Sequence, residues 1–443
     1  MDVEEAQNSL LETAGEIVKL ARQMGADHAE AGASFEEGLS VTARLGELES
    51  VERQRDRGLA VTVYQAQRKG SASTADFTSN SVEETVRKAL SIASFTAPDV
   101  YAGLADPERM AFDYPDLDLH HPWALDVAAA EVLALEAEEA ARALDARIKN
   151  SEGATVSSGH SVQAYVNSHG FAGAYAASSH SISCSVVAEE NGALERDHWF
   201  TLARDHNDLD APAEIGKEAA RRAVRRLGAR QIATTRMPVL YPAHLARGLF
   251  GHFVAAVRGT SQYRKATFLL DACGQQVFSD IVNLNEEPLQ PGAIGSAPYD
   301  NEGVATQPRQ LIADGVLQGY VLSSYSARRL GLETTGNAGG VHNLIVTPTV
   351  DSLQELLEAH PRMFLVNELL GQGVNTVTGD YSRGAAGFLV ENGEISHPVH
   401  EVTIAGNLAD MFKRIVAIGP DIDTRGSICS GSVLVDELTI AGA

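Results

Sequence analysis

Three cysteines in 443 residues, Cys184, Cys273 and Cys429, lie far apart, and none belongs to a CxxC pair. That excludes a disulfide framework and a cysteine-rich zinc site. No run reaches the roughly 18 uninterrupted apolar residues of a membrane-spanning helix. The stretch Met1 to Ala14 carries Asp2, Glu4, Glu5 and Glu12 and lacks the basic start and apolar core of a secretory leader. A cytoplasmic location is expected, with no membrane partner. Basic residues are also scarce: 35 Lys and Arg stand against 59 Asp and Glu, a formal charge of −24. An acidic surface repels phosphate backbones, so no nucleic-acid partner is expected.

What is present is an ordinary globular composition, 44% hydrophobic and 21% charged. The length exceeds the roughly 250–300 residues one core sustains, which predicts at least two domains. Val3, Ala6, Leu10, Ala14, Ile17, Ala21 and Met24 recur at helical steps, and Gly25 supplies a stop. From Ala29 to Phe77, short alternating runs punctuated by Gly38, Gly46, Gly58 and Gly70 predict a meander of antiparallel strands. Ser81 and Glu84 read as a capping box opening a helix to Phe95.

Four prolines between 96 and 122 mark a connector, with His120 and His121 solvated. A third helix is expected over Leu125–Leu144, strands over Ala154–Leu202, and a fourth helix over Ala213–Leu227. No fixed-period repeat is visible. The main boundary is placed near Thr234. Residues 1–233 form an N-terminal α+β domain with antiparallel strands. Residues 234–443 form a strand-rich C-terminal domain with one helix over Pro242–Arg258 and another near Ser352–Glu358. Helices and strands come in blocks, so the class is α+β.

Metal chemistry is the first candidate, given fourteen histidines. His244 and His252 share the predicted helix and, with Gly248, form its polar stripe. A zinc-peptidase helix needs two His one turn apart and an adjacent Glu as base. Here the His are two turns apart and no Glu occurs between Pro242 and Arg258. His397 and His400 would point to opposite faces of a strand. No GxSxG elbow exists, and Cys429 has no His or Lys neighbour to activate it. The loop Gly336–Gly340 is glycine-rich and open to a ligand backbone. The segment Gly259–Lys265 is polar, and its Arg264 could hold a carboxylate in a two-bond fork.

The runs Gly248-Leu249-Phe250-Gly251-His252-Phe253 and Gly259-Thr260-Ser261-Gln262-Tyr263-Arg264-Lys265 resemble the TldE (PmbA) family. So do Gly336–Leu344 and the tail Leu438-Thr439-Ile440-Ala441-Gly442, and the likeness spans nearly the whole chain. That family carries the older label "modulator of DNA gyrase". With its paralogue TldD it forms a cytoplasmic metallopeptidase pair acting on peptides and small unfolded proteins, in peptide maturation and antitoxin degradation. TldD carries an HExxxH helix and a later Cys ligand. Laid on Gly251-His252, that motif puts Arg247 and Gly248 where His and Glu should stand, and Cys429 falls too late to serve.

The resemblance therefore implies a vestigial metallopeptidase helix with no catalytic residue, no metal ligand and no cofactor in this chain. Zinc is expected in a TldD-like partner. His252, Arg258, Tyr263, Arg264, Lys265, His342 and Asn343 are expected to contact peptide or partner, with Tyr263, Arg264 and Lys265 bordering the cleft of His252. In isolation a homodimer is expected. The alternatives are a peptide-binding or regulatory homodimer acting without a catalytic partner, and an independent hydrolase with an unrecognised site.

Overall fold

The computed structural model describes residues 3–442, so Met1, Asp2 and Ala443 lie outside the described residues. The first part is built twice on one plan. Helix Val3–Gln23, strands His28–Arg44, Glu47–Gln65 and Arg68–Thr74, and helix Ser79–Phe95 are followed by helix Val127–Leu144, strands Ile148–Asn167, Ala172–Glu190 and Ala193–Ala203, and helix Pro212–Arg225. Their six strands form one antiparallel sheet in which the first strand of each half pairs centrally, Gly38 opposite Gly159. This internal repeat is a correction to the expectation of none. The halves share alternation and small residues, not a common string.

Ala29, Ala31, Ala33, Leu39, Val41 and Ala43 alternate along the first strand and are all buried. A strand sends alternate side chains to one face, so all six point to the side that the four helices cover. Small residues there let helices sit close. Gly70 and Gly216 mark the matching tight contacts, where a Cβ would meet the carbonyls of Ala89 at 2.0 Å and Ala137 at 1.8 Å. Helix Val127–Leu144 also buries Glu138, whose carboxylate accepts the N–H groups of Leu45 (2.7 Å) and Gly46 (2.9 Å) and fixes the first hairpin tip.

Several expectations need correction here. The strands are 17 and 19 residues long, and Gly38 and Gly58 lie within them; only Gly46 turns the chain. The helix Ser79–Phe95 begins after Thr78, and Ser81 lies inside it, donating to Asp76 at 2.6 Å, so no capping box forms. The connector is no solvated tether. It buries Leu104, Ala105, Met110, Ala111, Leu117 and Leu119, and Met110 and Ala111 pack with Phe171 and Tyr299 between the two parts of the chain. His120 and His121 are half-buried; the N–H of His121 donates to Ser178 Oγ at 2.9 Å. The free edge at 47–57 is studded with Glu, Arg and Asp and broken by a bulge near Glu49, devices that blunt edge pairing.

From Thr235 onward the strands join two other sheets. Strands Thr235–Tyr241, Arg362–Leu370, Asp380–Glu391, Glu394–Asn407 and Val433–Ala441 pair in a ring that closes where Ile404 meets Ile440. A smaller five-stranded sheet lies beside this barrel and includes Leu344–Val346 and Ile428–Cys429. Helix Ala243–Val257 leaves the barrel directly through Pro242. Its apolar side, Ala246, Leu249, Phe250, Phe253 and Val257, enters the core, where Phe253 meets Phe278 at 4.9 Å between ring centres. Each of the larger of these buried side chains contributes about 1.5–3 kcal/mol.

Candidate functional site

The helix Ala243–Val257 turns its polar side to a pocket of about 190 Å³. His244, Arg247, Gly248 and His252 form one wall. Leu369 of the strand Arg362–Leu370, with Tyr381 and Arg383 of the next strand, forms the other. Residues 381 and 383 are two apart in a strand, so both face the helix. The His252 ring meets Tyr381 edge-on at 6.3 Å. Burial lowers the His252 pKa and the Arg383 charge lowers it further, so the imidazole is neutral. His244 is pulled down to about 3 by burial and by Arg222. Arg247 donates to the Arg425 carbonyl at 3.1 Å, which ties the helix to the loop before Cys429. Cys429 is buried, and burial pushes its thiol up to about 11, so it is not an activated nucleophile.

A catalytic zinc takes about three protein ligands and an activated water. This pocket offers two imidazoles and two guanidiniums, with no carboxylate or thiol in its lining. Among the described residues, no three or more His, Cys, Asp or Glu side chains are grouped so as to hold a metal ion. The donor set does not fit zinc, and a guanidinium adds a cation beside the place a metal charge would occupy.

His244 also belongs to two adjoining hollows of about 560 and 590 Å³, at the junction of the six-stranded sheet and the barrel. Here Asp197, 5% exposed, accepts from Arg222 Nε at 3.0 Å, Asn367 Nδ2 at 2.7 Å and the His198 N–H at 2.8 Å. Arg226 bonds Glu368 at 2.7 Å, and Arg425 pairs with Asp423 at 2.9 Å. The guanidiniums of Arg222 and Arg425 both lie over the Trp199 ring, at 4.8 and 4.7 Å from its centre. A further hollow of about 680 Å³ lies over the open face of the six-stranded sheet, walled by Tyr165, Tyr175 and Tyr299.

The seven residues singled out from sequence do not converge on one pocket. His252 alone lines the helix pocket. The segment after Arg258 is a short helix, Gly259–Tyr263, and none of its residues lines that pocket. Tyr263 packs edge-on against Tyr325 at 5.9 Å, under the Arg329 guanidinium at 5.1 Å. Arg264 and Lys265 are exposed, so the expectation that Tyr263, Arg264 and Lys265 border the His252 cleft is corrected. Arg258 reaches the glycine-rich loop, 3.1 Å from where a Gly340 Cβ would sit.

That loop is not open to a ligand backbone. Its own chain fills the space, the Ala305 carbonyl beside Gly336 and Asn301 beside Gly339. The His342 N–H and the Asn337 amide both bind the buried Glu286 carboxylate at 2.7 Å. Asn343 accepts the Gly295 N–H at 2.9 Å and donates to Ser296 at 2.7 Å. Asn343 is a structural peg; His342 is tied in through its backbone N–H, and its buried Nε2 has no hydrogen-bond partner among the described residues. Sequence reasoning missed Leu369, Tyr381 and Arg383 on the facing strands, and Asp197, Arg222 and Asn367 at the junction. The i, i+2 spacing of Tyr381 and Arg383 was the available signal.

Three family models match in order: PmbA/TldA metallopeptidase domain 1 over residues 29–93, the central domain over 120–227, and the C-terminal domain over 234–442. The Metalloprotease PmbA of Escherichia coli O157:H7 is 47% identical over 438 residues, 99% of this chain and 97% of that protein. The chain belongs to the PmbA/TldD metallopeptidase family. A family member of Haemophilus influenzae, a Metalloprotease TldD homolog, is 26% identical over 300 residues, 59% of this chain and 61% of its own length. A crystal structure from Bacteroides thetaiotaomicron, named as a candidate modulator of DNA gyrase, superposes with a TM-score of 0.92 at 26% identity, covering 98% of both chains. TldE of Thermococcus kodakarensis shares the fold, with a TM-score of 0.82 at 19% identity over 97% of this chain and all of its own. The family's α+β fold with antiparallel sheets is the one described above. No helix among the described residues is long and apolar enough to cross a membrane.

Proposed function

We propose that this chain is the TldE-type subunit of a TldD–TldE-type metallopeptidase of the cytoplasm. It acts on peptides and small unfolded proteins, as in peptide maturation, with the zinc and the catalytic base supplied by a TldD-like partner. The supporting observation is the donor set along the helix Ala243–Val257. Arg247 and Gly248 stand one turn before His252, and Arg247 is bound to the Arg425 carbonyl instead of being free to leave the pocket. A relative's name, Metalloprotease PmbA, gives the chemistry of the family; the donor set argues that this subunit does not perform it alone.

The experiment is reconstitution. The chain is purified alone and with a TldD-like paralogue, without chelator, and zinc content and hydrolysis of an unfolded polypeptide are measured. The expected result is metal and activity only in the pair. About one zinc per chain in the isolated protein, lost in His252→Ala, overturns the reading. Alone, the chain is expected to be a homodimer; a monomer by light scattering at micromolar concentration refutes that part.

A further inference from the structure

We infer that the pocket beside helix Ala243–Val257 is a carboxylate-binding site for a peptide, with Arg247 and Arg383 as the binding residues. The starting point is an imbalance. This chain has 59 acidic residues and 35 basic ones, so acids are in excess as partners for a half-buried arginine, and two arginines without one in a single pocket stand out. At the adjoining junction Arg222, Arg226 and Arg425 bind Asp197, Glu368 and Asp423, and Arg225 is met by the Asn367 amide oxygen at 2.7 Å and the Phe388 ring. The pocket gives its two arginines less. Among the described residues neither Arg247 nor Arg383 has a carboxylate within ion-pair distance.

Arg247 spends one N–H on the Arg425 carbonyl. Arg383 makes only long contacts, 3.5 Å to the Leu370 carbonyl and 3.3 Å to that of Leu369. Asp423 is close enough to feel Arg247, but it is held by the Arg425 side chain at 2.9 and 3.0 Å. Charges withdrawn from water are ordinarily paired. Here the pairing partner is missing from the chain itself.

The rest of the lining says what the partner is. His244 and His252 add no charge of their own, so the pocket carries the two guanidinium charges. Guanidinium presents a planar fork that matches a carboxylate with two parallel bonds. Leu245, Leu249, Leu369 and Tyr381 supply apolar walls for a side chain. The volume, about 190 Å³, leaves room for one carboxylate and a short apolar group. The carboxylate can be a peptide's C-terminus or an acidic side chain, and the test separates them.

The inference rests on reading this helix as non-catalytic, yet it is tested on the full chain alone, by calorimetric titration without zinc or partner. Its failure therefore leaves the reconstitution result standing, and hydrolysis by the isolated chain would sink the accessory reading without touching binding. Three probes are used: acetyl-Ala-Leu-Ala-Leu with a free C-terminus, the same peptide as its amide, and the amide with Glu in place of the third residue. The expected result is that a carboxylate-bearing peptide binds at least tenfold more tightly than the plain amide, and less tightly as salt rises. Preference for the free acid identifies a terminus; preference for the Glu peptide identifies a side chain.

Arg383→Gln should reduce that binding at least tenfold and Arg383→Lys severalfold, since lysine keeps the charge and loses the fork. Arg247→Gln should act alike, but it also loses the bond to Arg425, so Arg383 is the safer variant. Circular dichroism checks that each remains folded. Equal binding of acid and amide, no binding by any probe, or unchanged binding in Arg383→Gln overturns the proposal. So does inorganic phosphate competing as well as the peptide carboxylate.

Discussion

Asp197→Ala should loosen the junction between the six-stranded sheet and the barrel. Asp197 lies on the strand Ala193–Ala203, Arg222 on the helix Pro212–Arg225, and Asn367 on a barrel strand, so one carboxylate holds three elements. Asp197 and Arg222 are each 5% exposed. Removing one member of a buried ion pair leaves the other charged and unpaired, at a cost of about 3–5 kcal/mol. Here the Asn367 amide and the His198 N–H lose their acceptor as well, so the upper half of that range is expected. Asp197→Asn keeps the shape and part of the hydrogen bonding. It should cost less, near the roughly 1.5–3 kcal/mol of bonds to a charged group.

Trp199 is a built-in reporter, because Arg222 and Arg425 stack on it. With Trp123 replaced by Phe, its fluorescence follows the junction alone during urea unfolding. Urea slopes must agree between variants before midpoints are converted to free energies. The acid limb gives a second readout. Burial alone would raise the Asp197 pKa, but the Arg222 charge and the bonds from Asn367 and His198 hold it below its ordinary value. Its stabilisation is therefore complete above about pH 3.9, the unfolded value, and is lost as the pH falls towards the folded one. Asp197→Ala should flatten that limb. A loss under about 1 kcal/mol, with the acid limb unchanged, refutes the argument.

His244→Gln tests the same sign of slope in a higher pH window. The folded imidazole titrates near 3, because of burial and Arg222, and the unfolded one near 6.5. Between those values only the unfolded chain takes up the proton, so stability falls as the pH drops from 6.5; urea unfolding at pH 7, 5 and 4 should show that slope reduced in the variant, and equal slopes refute it. Gly216→Ala should be destabilising by at least the upper part of the about 1–3 kcal/mol typical of overpacking, because its Cβ would lie 1.8 Å from the Ala137 carbonyl. Gly15→Ala meets open space in a helix and should stabilise by about 1 kcal/mol; thermal melts of the two compare them directly. Arg264→Lys, at an exposed residue 5.9 Å from the Tyr263 ring, should change stability by no more than about 0.5 kcal/mol.

What was legible in the sequence follows from the range of each interaction. Helix Val3–Gln23 was readable because Ala6, Leu10, Ala14, Ile17 and Ala21 all meet one surface, so burial writes itself at helical spacing. The long strands were misjudged because Gly38 and Gly58 resemble turn signals, and only pairing across the sheet shows them inside strands. The pocket divides in the same way. Its helix wall was legible as the stripe His244, Gly248 and His252, since one helix fixes all three. Its other wall is set by barrel closure, which brings residue 383 opposite residue 247 from 136 positions away. No local pattern encodes that distance. The basic segment Tyr263–Lys265 drew attention because its charge is continuous in sequence, yet continuity is a poor guide to convergence. Beyond Arg258 the segment packs against Tyr325 and Arg329 and contributes nothing to the pocket. The two cations that do converge, Arg247 and Arg383, are single residues in otherwise apolar surroundings. In a chain this acidic, two arginines without an acid that meet in one pocket are therefore a sharper pointer to a binding site than a run of basic residues at the surface.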